Sequence, residues 1–105
     1  MFARNVSIKL KPNTFKQFTT TLDTDILTLL KKQPGFRDLL ALGSDDELHV
    51  TAISLWDTKE QAEAYNTSAY PQVIKSIEPF TDGPPKVRVN KVASSTLHKL
   101  AAVAA

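Results

Sequence analysis

From Phe2 to Leu10 the chain alternates. Phe2, Arg4, Val6, Ile8 and Leu10 fall on one face, and Ala3, Asn5, Ser7 and Lys9 on the other. Period two over nine residues predicts a strand, which Lys11-Pro12-Asn13 breaks. The period then changes. Phe15, Phe18, Leu22, Ile26, Leu29 and Leu30 form one apolar stripe at helical spacing, with Asn13 or Thr14 as the cap. Lys31 and Lys32 suit the dipole of the last turn, and Pro34-Gly35 stops the helix. Phe36 to Leu42 predicts a second strand, and Gly43-Ser44-Asp45-Asp46 a hairpin turn into a third strand from Glu47 to Trp56. Leu48, Val50, Ala52, Ser54 and Trp56 line one face of that strand, and His49, Thr51, Ile53 and Leu55 the other. Either Asp57, with Glu60 three residues on, or Thr58, with Gln61, caps a second helix. Ala62, Tyr65, Ala69, Val73 and Ile77 keep roughly helical spacing. Pro71 predicts a break near Thr67 to Tyr70. After Pro79 and the loop Asp82-Gly83-Pro84-Pro85, Lys86 to Val92 predicts a fourth strand.

The order strand, helix, strand, strand, helix, strand is the ferredoxin-like split βαβ pattern. It implies an α+β domain in which a four-stranded antiparallel sheet carries helices on one face. The third strand is largely apolar on both faces, so the bare face also needs a cover. A second subunit is the simplest one, pairing two sheets into a dimeric α+β barrel.

Composition narrows the class further. A chain of 105 residues is one domain, with 42% hydrophobic and 23% charged residues, as in ordinary globular proteins. No apolar run is long enough to span a membrane, and the start MFARNVSIKL has no secretory h-region. Both point to a cytoplasmic chain. The absence of cysteine removes disulfides, thiol nucleophiles and thiolate metal sites. The net charge is only +2 and the basic residues are scattered, so no nucleic-acid footprint is visible. Two histidines, His49 and His98, lie far apart without carboxylates at ligand spacing, so no metal site is expected. There is no nucleophile elbow for Ser/His/Asp catalysis.

The stretch Ile53-Ser-Leu-Trp-Asp-Thr-Lys-Glu-Gln-Ala-Glu-Ala-Tyr65 resembles the antibiotic biosynthesis monooxygenase (ABM) domain family, in which a strand ending in Trp runs into a helix opening on an acidic cap. Pro34-Gly35-Phe36, Ser68-x-x-Tyr-Pro-x-Val-Ile and the Pro-Pro before the fourth strand fit the same pattern. The resemblance covers residues 1 to 92. It leaves Ala93 to Ala105 as a tail or short helix, with Leu97, Leu100 and Val103 at i, i+3 and i+6. The resemblance implies a homodimer with a pocket between the sheet and helices of each subunit. Some members oxidise aromatic polyketides with O₂ and neither metal nor flavin, others degrade haem, others act on quinols, and some have no assigned activity.

Haem-degrading members carry an Asn on the first strand, a Trp on the second helix and an iron-ligating His about ten residues on. Asn5 matches the first and Tyr65 stands at the second. Lys75 replaces the His, and an ammonium group has no lone pair to give iron. The resemblance therefore implies, as the leading expectation, a cofactor-independent monooxygenase-like enzyme acting on a small aromatic or quinol-type substrate. Such an enzyme needs donors aimed at a developing oxyanion. Asn5, Tyr65 and Trp56 are the catalytic candidates, and Tyr70, Arg88 and His49 the substrate-binding ones. Each has a packing or solvent-facing alternative: Trp56 and Tyr65 as core aromatics, Asn5 on solvent or a partner, Arg88 on an edge strand. The alternative function is a non-catalytic dimeric module that binds a small hydrophobic ligand.

Overall fold

The structure, a computed structural model, describes residues 1–97, so the residues from His98 onward, and with them most of the possible tail helix, lie outside the description. Strand β1 (Phe2–Lys9) leads into helix α1 (Phe15–Thr21), a π-helical turn (Leu22–Ile26) and helix α2 (Leu27–Lys31). Strands β2 (Phe36–Gly43) and β3 (His49–Trp56) form the hairpin. Helices α3 (Lys59–Ser68) and α4 (Tyr70–Ile77), a 3₁₀ turn (Glu78–Phe80) and strand β4 (Lys86–Lys91) complete the order. The four strands make one antiparallel sheet in the order β2-β3-β1-β4, the ferredoxin-like α+β arrangement.

Period two holds in both central strands. Arg4, Val6, Ile8, Val50, Ala52, Ser54 and Trp56 are buried, while the residues between them are half-buried or exposed. The buried set faces the helices, whose stripe of Phe18, Leu22, Ile26 and Leu30 meets Ala62, Tyr65, Val73 and Ile77 across the core. Leu10, Phe18 and Trp56 are the largest side chains wholly removed from water.

Three local points go beyond the sequence reading. The first helix is not uniform. Its threonines hydrogen-bond back along the chain, Thr24 Oγ1 to the Thr20 carbonyl at 2.8 Å and Thr28 Oγ1 to the Thr24 carbonyl at 2.6 Å. Such bonds compete with the backbone ladder and widen it. The open cap register resolves to Thr58, whose hydroxyl accepts the Gln61 N–H at 3.1 Å. The break between α3 and α4 falls at Ala69, with Pro71 in the first turn of α4, where its missing N–H costs nothing.

Among the described residues no helix covers the outer sheet face. Leu40 and Leu42 on β2 are each about half exposed, at 51% and 50%. They pair across with Ile53 and Thr51. Among the described residues, no helix is long and apolar enough to cross a membrane.

Candidate functional site

The alternation of β1 turns Arg4 toward the helices, one position along from Asn5. Arg4 is only 2% exposed. Its Nη2 donates to Asn66 Oδ1 on α3 at 2.6 Å. Its guanidinium carbon lies 3.9 Å from the ring centre of Tyr70 and 5.1 Å from that of Tyr65, within cation–π range of both. Tyr65 comes from the buried stripe of α3, and Tyr70 from the first residue of α4, where the helix break swings it back toward β1.

The aromatic contacts continue behind this pair. Tyr65 stacks on Trp56 at 4.9 Å, and Trp56 meets the edge of Phe36 at 5.6 Å. Trp56 Nε1 donates to Ser54 Oγ at 2.9 Å, so its one polar atom is satisfied inside the core. Gly35 makes the turn from α2 into β2, and Gln61 of α3 packs against it. Its φ of +82° and the nearness of Gln61 leave no room for a β-carbon, so only glycine fits the Pro34-Gly35 turn.

Between the sheet and helices lies a narrow cavity of about 40 Å³. Arg4, Ser54, Tyr65 and Tyr70 supply its polar groups, and Val6, Leu22, Ile26, Ala52, Val73 and Ile77 most of its apolar wall. On the far side of Tyr70 and Ile77 an open groove of about 600 Å³ runs between α4 and the loop Gly83-Pro84-Pro85. Tyr70 and Ile77 line both spaces, so they form the wall between them.

The electrostatics of the cavity are those of one cation among neutral groups. Among the described residues no carboxylate lies within 4 Å of Arg4. Burial pulls its guanidinium down from the ordinary value, and the neighbouring tyrosines oppose that shift. A guanidinium nevertheless keeps its charge throughout the physiological range. Burial pushes the Tyr65 phenol up to about 12, against the pull of Arg4, and raises Tyr70 for the same reason. Both tyrosines are therefore neutral hydroxyls at pH 7, able to donate a hydrogen bond. The Tyr70 hydroxyl is buried and makes no well-aligned hydrogen bond.

The six residues expected to share one pocket divide between the two sheet faces. Tyr65 and Tyr70 line the cavity, and Trp56 backs Tyr65 without reaching it. Asn5, Arg88 and His49 sit on the outer face. Asn5 Nδ2 donates to Asn90 Oδ1 at 3.1 Å, and Arg88 lies directly opposite Asn5 on β4 and is exposed. His49 is exposed at the start of β3, with Asp46 at 4.0 Å. The reason is register: an odd-numbered position on β1 points away from the helices. Lys75, at the place expected for a haem ligand, lies on the exposed side of α4 and does not line the cavity. Among the described residues no group of three His, Asp or Glu side chains comes together as a metal cage. The residue that sequence reasoning passed over is Arg4. Its signal was a lone arginine on the apolar face of β1.

No protein-family model matches the chain, and no curated protein matches it at a significant level. Solved structures do. A Bordetella bronchiseptica protein provisionally named an antibiotic biosynthesis monooxygenase superposes with a TM-score of 0.76 at 14% identity, over 89% of this chain and 97% of that one. A protein of unknown function from Nitrosomonas europaea gives 0.76 at 15% identity, over 93% and 94% of the two chains. A monooxygenase from the gene ActVA-Orf6 of Streptomyces coelicolor, solved with nanaomycin D, gives 0.72 at 20% identity, over 93% and 92%. At such identities the likeness speaks for architecture alone. The chain has the fold of the antibiotic biosynthesis monooxygenase proteins.

Proposed function

We propose that this protein is a cytoplasmic, homodimeric, cofactor-independent monooxygenase-like enzyme that acts with O₂ on a small aromatic or quinol-type substrate. One observation carries the reading: a buried cation and two neutral phenols converge, with Ser54, on a cavity whose remaining wall is apolar. That combination suits a ring with one oxygen substituent. The Tyr65 and Tyr70 rings hold the substrate ring, and their hydroxyls and Arg4 face its oxygen. Trp56 fixes Tyr65 by stacking. Negative charge built up on the substrate oxygen is stabilised by groups already in place. An electron-rich substrate anion can reduce O₂ directly. One oxygen atom enters the ring, the other leaves as water with the two displaced hydrogens, and no outside reductant is required.

The cavity is smaller than the roughly 300 Å³ usual for ligand sites. Movement of the Tyr70 side chain would join it to the groove beyond, which gives a ring-sized substrate a route in. Asn5, Arg88 and His49 have a different place in this proposal: they belong to the outer face, where a second copy would pack over Leu40, Leu42, Ile53 and Leu55. The narrow cavity also favours a second reading, a non-catalytic dimeric module that holds a small hydrophobic ligand.

Oxygen uptake on a panel of phenols and hydroquinones, read beside the fluorescence of Trp56, the only tryptophan in the chain, separates the two. The enzyme reading expects uptake with at least one substrate and a loss of about ten-fold or more in Tyr65→Phe. Quenching of Trp56 with no uptake across the panel would leave the binding module.

A further inference from the structure

We infer that the cavity is built for a ligand that already carries a negative charge when it binds: a planar aromatic oxyanion, carboxylate or ionised hydroxyl, seated against the Arg4 guanidinium. This deepens the enzyme proposal and rests on its reading of the cavity as a ligand site.

A guanidinium presents five N–H groups in a flat fork. Arg4 is almost wholly out of water, yet its partners are one well-formed hydrogen bond, to Asn66, a looser polar contact with the Tyr70 hydroxyl and two aromatic faces. Buried arginines are ordinarily paired with carboxylates. Here every neighbour is neutral: Asn66, Tyr65, Tyr70 and Ser54. An arginine that only clipped β1 to α3 would not also need to line a cavity.

Were the substrate to arrive neutral, some group would have to take its proton. The polar groups of the cavity are a guanidinium, a serine and two phenols, none of which is a base at neutral pH. His49 lies on the opposite sheet face, among exposed residues. A ligand that brings its own charge removes the need for a base and supplies the counter-ion that Arg4 lacks. The flat fork matches a carboxylate bidentately and a single oxyanion through one edge. The Tyr70 ring beside it accounts for the aromatic part of the ligand.

The test uses the 105-residue chain and two matched pairs of probes: benzoate against benzamide, and 4-nitrophenolate against nitrobenzene. Binding is read by calorimetry and by Trp56 quenching at constant ionic strength. Each anion is expected to bind about ten-fold or more tighter than its neutral partner. Bound 4-nitrophenolate should keep the absorption of its ionised form. A preference confined to benzoate identifies a carboxylate ligand, and one confined to nitrophenolate an ionised hydroxyl; either supports the inference. Arg4→Met should abolish the preference while melting at or above the wild-type temperature, because it removes a buried charge without a partner. Arg4→Lys should retain part of it.

Equal binding of anion and neutral partner in both pairs by the wild type overturns the inference, as does an unchanged preference in Arg4→Met. So does a fall of about 10 °C in the melting temperature of Arg4→Met when the wild type shows no preference, since Arg4 is then a structural clip. Chloride competing as well as benzoate overturns the aromatic part. Anion binding with no oxygen uptake leaves this inference standing and removes the enzyme proposal. Oxygen uptake on neutral substrates that survives Arg4→Met does the reverse.

Discussion

The two faces of the sheet are written by the same strands, yet they are opposites. On the helix side Val6, Ile8, Val50, Ala52 and Trp56 are buried, and the one charge among them, Arg4, is buried with them. On the other side Leu40 and Leu42 stand half exposed beside Asn5, Arg88 and His49, whose polar groups reach water or one another. The closed face keeps a charge where charge is expensive, and the open face keeps leucines where leucines gain nothing. Each is out of place for a free-standing monomer of this size, and each makes sense if something else arrives: an anion on the closed face and a second copy on the open one. An oddity of polarity is informative because it costs free energy that a partner can return.

The comparison breaks most sharply at Trp56. Trp56→Ala removes the stacking partner of Tyr65 and empties the closed face. It should cost about 3–5 kcal/mol in denaturant unfolding. Ile53→Ala, three residues away on the same strand but facing outward, should cost far less in dilute protein, where any dimer is dissociated. Equal losses would show that the two faces are equally packed and the contrast is false.

A charge on the open face is the next probe. Leu40→Asp should weaken self-association about 100-fold, or about 2.7 kcal/mol. Sedimentation over a concentration series should show this, with the circular dichroism of the monomer unchanged. A dimer that tolerates this change would have to be built on some other surface.

The smallest expected effect concerns Tyr65 and alkali. Its phenol is pushed up to about 12 in the folded chain, against about 10 when unfolded. Below pH 10 both states hold the proton, and Tyr65 adds no pH dependence. Between about pH 10 and 12 only the unfolded chain releases it, so stability falls by about 2 kcal/mol across that window. Tyr65→Phe should flatten this part of the unfolding curve. An identical slope in the variant would mean that Tyr65 titrates as if exposed, and that the closed face is wetter than its packing implies.

Much of this molecule was legible in its periods. The alternation of β1 and β3, the helical stripe from Phe15 to Leu30 and the break before Tyr70 all appear in the structure where the pattern placed them. Side-chain periodicity is a property of the backbone and needs no knowledge of the partner element. Cap choice was half legible: Asp57 and Thr58 both fit, and only the Thr58 hydroxyl's bond to Gln61 decides between them. The π-helical turn was not legible, because it depends on how threonine hydroxyls compete with ladder bonds in a packed helix.

The site shows where local reasoning stops. Tyr65 and Tyr70 are five residues apart, and their meeting with Arg4 is a long-range event. The pattern puts Arg4 on the apolar face of β1 with Val6 and Ile8 and Asn5 on the polar one, but nothing within β1 says that two tyrosines would come to lie against that arginine. The sequence by itself determined which residues share a face, since a strand has only two and alternation assigns every residue to one. Tertiary structure alone decided which groups meet on the interior face. That depends on where α1 to α4 lay their apolar stripes and on the break that brings Tyr70 beside Tyr65, and it closes neutral phenols around a guanidinium one residue from an amide that stays outside.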